Sequence, residues 1–131
     1  MTAQDPETKR TVVPPRSGLL HIVDAAGYSL AGFKRLWAET AARLEITAAA
    51  IVTVAFVWRG AAAWHWGVML VLFSLVLVVE ALNTAIEVLT DGISPHWSQM
   101  AKDAKDLGSL AVGLMLVVSG AFAGLVIVGV L

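Results

Sequence analysis

The chain has 131 residues, 58% of them hydrophobic and only 15% charged, with a mean hydropathy of +0.78. These values exclude an ordinary soluble domain and indicate a single integral-membrane domain. A net charge of −1 gives no general attraction for nucleic acid, and the lack of cysteine excludes disulfides and thiolate metal sites.

Residues 1–17 are polar and proline-containing with no apolar segment, so they read as a disordered tail and not as a cleavable signal peptide. The membrane domain is then 18–131. In its first segment, 18–41, apolar Leu19, Ile22, Val23, Ala26, Leu30, Phe33 and Trp37 recur at steps of three and four. His21, Asp24, Tyr28, Lys34, Arg35 and Glu39 fall largely elsewhere. That pattern predicts an amphipathic helix with possible breaks at Gly27 or Gly32, too polar to span and suited to a membrane surface.

The first span is predicted at about 42–60, with Trp58, Trp64 and Trp66 as interfacial anchors. The second, 67–90, opens as an uncharged run and then carries Glu80, Asn83, Thr84, Glu87 and, just beyond it, Asp91. Their steps of three, one, three and four put these polar groups on one helical face. A carboxylate at bilayer depth is costly, by about 2.5–3.5 kcal/mol, and marks a functional interior by default. A polar connector over 91–106 follows, turned by Gly92, Ser94 and Pro95. The third span, 107–131, has glycines at 113, 120, 124 and 129 that allow close helix approach.

The fold class expected is therefore all-α and polytopic, with three transmembrane helices and one surface helix. Lys9, Arg10, Arg16, Lys34, Arg35 and Arg43 precede the first span, Arg59 alone follows it, and Lys102 and Lys105 lie between the second and third. The positive-inside rule puts the N-terminus and the 91–106 connector in the cytoplasm and the C-terminus outside.

Three clusters then gather at the cytoplasmic interface: Glu39, Arg43 and Glu45; Glu80, Asn83, Glu87 and Asp91; and Lys105, Asp106 and Ser109. Carboxylates from different helices suit a hard, oxygen-liganded ion, and magnesium held with substrate phosphates needs only one or two of them. A nearby lysine suits phosphate. Glu80 lies about 10 Å deeper than Glu87 along a helix, a dry setting suited to a proton acceptor. No Walker-type loop or protein-kinase catalytic loop is present.

The chain resembles the prokaryotic diacylglycerol kinase family, small integral-membrane lipid kinases that include undecaprenol kinases. The matching residues are Ala25-Ala26-Gly27-Tyr28-Ser29, Glu39-x3-Arg43-x-Glu45, Glu80-Ala-Leu-Asn83-Thr84-Ala85-Ile86-Glu87 with Asp91, and Lys105-Asp106-Leu-Gly108-Ser109. They cover most of the chain from about residue 20 to 112, in order.

The resemblance implies a homotrimer in a bacterial inner membrane that transfers phosphate from MgATP to the hydroxyl of diacylglycerol, giving phosphatidic acid. By position it implies Glu80 as catalytic base and Glu39 and Glu87 as magnesium ligands. Tyr28, Glu39, Glu87, Lys105 and Asp106 would meet the nucleotide. Ala25, Ala26, Gly27, Tyr28, Ser29 and Leu30, with Ala41, Ala42, Arg43, Leu44, Glu45, Glu80 and Ser109, would line the lipid site. Asn83 and Asp91 would support it. Two departures bear on nucleotide binding: His21 stands where an arginine is common, and His96-Trp97-Ser98 replaces a Glu-Tyr-His-like contact.

Undecaprenol kinase is the alternative within the class. A channel or transporter subunit is the alternative outside it, with the span-two carboxylates lining a pathway. The polar face occupies only the cytoplasmic half of that span, which favours an interfacial enzyme.

Overall fold

The structure is a computed structural model that describes residues 18–131, so the tail predicted over 1–17 lies outside the described residues. It contains four helices and, among the described residues, no strand: α1 (Leu19–Ala38), α2 (Thr40–Arg59), α3 (Ala63–Ile93) and α4 (Gln99–Val128). The chain divides into two compact units, and the division falls within α1, between Ala31 and Gly32.

In the first unit, α1 begins after Gly18, whose positive φ and carbonyl bond to the His21 N–H set the first turn. The helix runs unbroken through Gly27 and Gly32, where the sequence suggested possible breaks. Leu20, Ile22, Val23 and Leu30 are exposed.

In the second unit, α1 ends at Ala38 with a tight bond from the Glu39 N–H to the Leu36 carbonyl. Glu39 alone is extended, and α2 starts at the next residue. At its far end α2 closes in a Schellman motif: Gly60 is left-handed (φ 67°), its N–H reaches the Val57 carbonyl, and the Ala61 N–H reaches Phe56. Only Gly60, Ala61 and Ala62 separate α2 from α3, so the two run antiparallel. His65 reaches back with Nδ1 to accept the Ala62 N–H at 2.9 Å, which satisfies a donor at the start of α3.

The best-packed core lies at this end. Phe56 is wholly buried against Ala123 and Val126, and its ring meets Trp66 edge-on at 5.4 Å. His65 is buried in the same cluster beside Phe56, Trp64 and Phe122. Its bond to the Ala62 N–H folds the ring inward.

α3 and α4 form the main helix pair, with α2 packed more lightly on both. Both helices outrun the expected spans. α3 starts at Ala63 and carries Asp91 and Gly92 within it; α4 starts at Gln99, not near 107. The connector shrinks to 94–98, where Pro95 cannot continue a helix. Ser94 Oγ lies 2.8 Å from Ser98 Oγ, and Ser98 caps α4 by accepting the Ala101 N–H. Helices of 31 and 30 residues extend roughly 45 Å, against about 30 Å of bilayer hydrocarbon. Three helices, α2, α3 and α4, are long and apolar enough to cross a membrane. Their outward residues, such as Leu70, Val71, Leu114 and Val117, are exposed hydrophobics that suit lipid or other helices.

Candidate functional site

α3 gathers the polar face expected of it. Glu80 is only 4% exposed, Asn83 and Thr84 are buried, Glu87 is half-buried, and Asp91 reaches solvent. The gradient follows the helix from bilayer depth towards the connector. Asn83 Nδ2 donates to Glu87 Oε1 at 3.2 Å, so the amide orients that carboxylate. Asn83 Oδ1 is buried without a partner and lies over Gly108 of α4, where a β-carbon would collide with it. Glu80 lies within electrostatic reach of Glu87 on its own helix and of Glu39 at the start of α2.

Glu39 sits at the extended residue between α1 and α2, where its carboxylate pairs with Arg35 and leaves the start of α2 uncapped by its side chain. Arg43 is exposed and bonds Thr40 Oγ1 at 3.3 Å. Ala42 is buried, whereas Ala41 and Leu44 face outward. Glu45 is 7% exposed, neither carboxylate oxygen has a partner, and the charge of Glu80 reaches it. Glu45 and Arg43, two residues apart on α2, face different surroundings.

The third group belongs to the body of α4, not to a loop. Lys105 crosses to Asp91 of α3, and Lys102 pairs with Asp106 one turn on. Together with His96 and Trp97 these four charged side chains border an open basin of about 410 Å³ at the connector. Trp97 is almost fully exposed there. Ser109 is exposed on α4.

Residues 25–30, including Tyr28, belong to the first unit and are all exposed; Ser29 Oγ bonds the Ala25 carbonyl at 2.9 Å.

Among the described residues, no three His, Cys, Asp or Glu side chains come together as a ready-made metal cage. The donor set still fits magnesium, which takes one or two carboxylates and completes its shell with phosphate oxygens and water. Two structural contributors were not singled out from sequence: Gly108, which makes room for Asn83, and Ser119, whose buried hydroxyl has no partner. Gly108 stands inside the Lys105-to-Ser109 motif, which is the signal that could have found it. Ser119 is an ordinary small residue in an apolar span and gives none.

Fold and site define a small polytopic membrane protein with an acidic interior face at one end of its helices and a solvent-open basin of paired charges beside it. The family model described as prokaryotic diacylglycerol kinase matches residues 27–127. A Sinorhizobium diacylglycerol kinase is 43% identical over 116 residues, which is 88% of this chain and 85% of the relative. The diacylglycerol kinases of Escherichia coli K12 and Pseudomonas aeruginosa are 35% and 39% identical over 104 and 108 residues, each covering 79% of this chain and 85% of theirs. The chain belongs to the prokaryotic diacylglycerol kinase family and is a lipid kinase.

Proposed function

We propose that this protein transfers the γ-phosphate of MgATP to the hydroxyl of diacylglycerol, forming phosphatidic acid at the cytoplasmic face of a bacterial inner membrane. The observation that carries the reading is Glu80: a buried carboxylate at the deep end of an acidic face, within electrostatic reach of Glu87 and Glu39. A lipid hydroxyl rests near the interface, ATP arrives from the cytoplasm, and a site on the helix ends serves both.

Glu80 accepts the hydroxyl proton as the oxygen attacks the γ-phosphorus and the bond to the ADP leaving group breaks. Glu39 and Glu87 are the residues that would hold Mg²⁺, and the ion supplies charge neutralisation on the phosphates when bound. Asn83 fixes the Glu87 carboxylate. Lys105 meets phosphate, and Asp106 adds to the nucleotide contacts. The basin beside Trp97 supports a nucleotide on this side, because an exposed indole offers a stacking face. Residues 41–45 with Ser109 line the lipid approach. α1 lies on the membrane surface, and the exposed apolar sides of α2–α4 suit assembly as a homotrimer.

The test is a phosphate-transfer assay on purified protein with and without magnesium, offering diacylglycerol and undecaprenol side by side. Magnesium-dependent labelling of diacylglycerol is expected, and its loss in Glu80→Gln. Preferential labelling of undecaprenol would reassign the substrate, and labelling of neither would remove the reading.

A further inference from the structure

One cleft between α2, α3 and α4 shares only Glu45 with the lipid approach described above. It is lined by Glu45, Ala48, Ala49 and Val52 of α2, by Phe73 and Val76 among others of α3, and by Ser119, Gly120 and Ala123 of α4, with a volume of about 120 Å³. Its wall is apolar except at two points, Glu45 and Ser119, which are 7% and 6% exposed. Both carboxylate oxygens of Glu45 and the Ser119 hydroxyl are buried without a partner.

The Ser119 side chain is unusual for its setting. Ser29, Thr47, Thr53, Ser74 and Thr90 all return their hydroxyls to the carbonyl four residues back in their own helices. Ser119 does not. An unmade bond to a buried hydroxyl costs on the order of 1–3 kcal/mol, so a partner brought by a ligand would be worth having.

The spacing describes the ligand. α2 and α4 run parallel and line the cleft over matching windows, 45–52 and 116–123, so Ser119 stands about one turn, ~5 Å, beyond the level of Glu45. An occupant therefore needs a polar head at the Glu45 end, which the charge of Glu80 reaches, one hydrogen-bond acceptor a turn deeper, and hydrocarbon everywhere else. An acylglycerol has this pattern: a free hydroxyl, an ester carbonyl a few bonds away, then an acyl chain. A polyprenol has the hydroxyl and the hydrocarbon but no acceptor.

We propose that Ser119 is a specificity-determining residue that donates its hydroxyl hydrogen to an ester carbonyl of the lipid, selecting ester-linked glycerolipids over alcohols without a carbonyl. The inference rests on the lipid-kinase reading of the neighbouring carboxylates. It concerns ground-state binding, so it appears in KM and not in kcat.

The experiment compares wild type and Ser119→Ala on three purified alcohols: a diacylglycerol, the dialkylglycerol ether of the same chain length, and a polyprenol. Wild type is expected to favour ester over ether by about two- to tenfold in kcat/KM, the worth of one neutral hydrogen bond. Ser119→Ala should bring that ratio close to one through a higher KM for the ester. Ser119→Cys, with a weak donor of similar shape, should fall between. An ester-to-ether ratio equal in wild type and Ser119→Ala, with phosphorylation intact, overturns the Ser119 assignment alone. A wild-type protein that phosphorylates none of the three lipids overturns the kinase reading and this inference with it.

Discussion

The side-chain oxygen of Asn83 occupies the place where a β-carbon on residue 108 would stand, so α3 and α4 meet at an asparagine seated on a glycine. The same asparagine orients Glu87 through its amide nitrogen. Gly108→Ala should push Asn83 aside and release Glu87, although alanine suits a helix interior better than glycine by about 1 kcal/mol. The expected outcome is a folded protein with at least tenfold lower kinase activity and a higher magnesium requirement. Gly108→Ala activity equal to wild type across a magnesium titration would show that Asn83 does not position the carboxylate.

Glu80 and Glu87 are seven residues apart on one helix face but differ in setting: the first is buried, the second half-buried and held by Asn83. Different losses follow. Glu80→Gln keeps the shape and removes the base, so turnover should fall by a factor of about 10²–10⁴, the range for a general base, with no rescue by added metal. Glu87→Gln and Glu39→Gln should raise the magnesium concentration for half-maximal rate and recover part of their activity at high metal. Steady-state rates over a magnesium series separate the two patterns.

The helical class, three apolar segments and a polar face on the second were all legible in the sequence, because a period of 3.6 and a run of apolar residues carry that information locally. The ends of α2 fall within two residues of the expected 42–60, but those of α3 and the start of α4 do not match. The stretch Gln99–Asp106 is polar and reads as a connector, yet polarity reports position outside hydrocarbon and says nothing against helix. Ser98 caps it, and its alanines and lysines propagate it. The break at Glu39 carries neither Gly nor Pro, so no local signal marks it. Residues 25–30 fall in a separate unit from the carboxylates, and their part in the site rests on resemblance. Tertiary pairings such as Asp91 with Lys105, or Ser119 facing Glu45 across a cleft, need the helices brought together first.

Gly60 gives a test of folding separate from chemistry. Its left-handed conformation closes α2, no neighbour would touch an added β-carbon, and the residue lies at the opposite end of the helices from the acidic face. Gly60→Ala should therefore lose only the conformational preference, about 1–2 kcal/mol of stability, with its kinase rate kept at low temperature. Thermal denaturation in detergent, followed by circular dichroism alongside the assay, checks both halves.

Orientation follows from short connectors and unequal charge. With two tight turns, α2, α3 and α4 alternate in direction, so the 94–98 connector shares a side with the start of α2. Among the described residues that side carries Lys34, Arg35, Arg43, Lys102 and Lys105, and the other carries Arg59. The imbalance favours a cytoplasmic connector. The chain has no cysteine, so single introduced thiols report cleanly. Trp97→Cys in the exposed connector should react with a membrane-impermeant maleimide only in inverted vesicles, and Ala62→Cys at the other turn only in intact spheroplasts. The reverse labelling pattern would leave the basin beside Lys105 on a side without ATP, and the proposed direction of phosphate transfer would have to be abandoned.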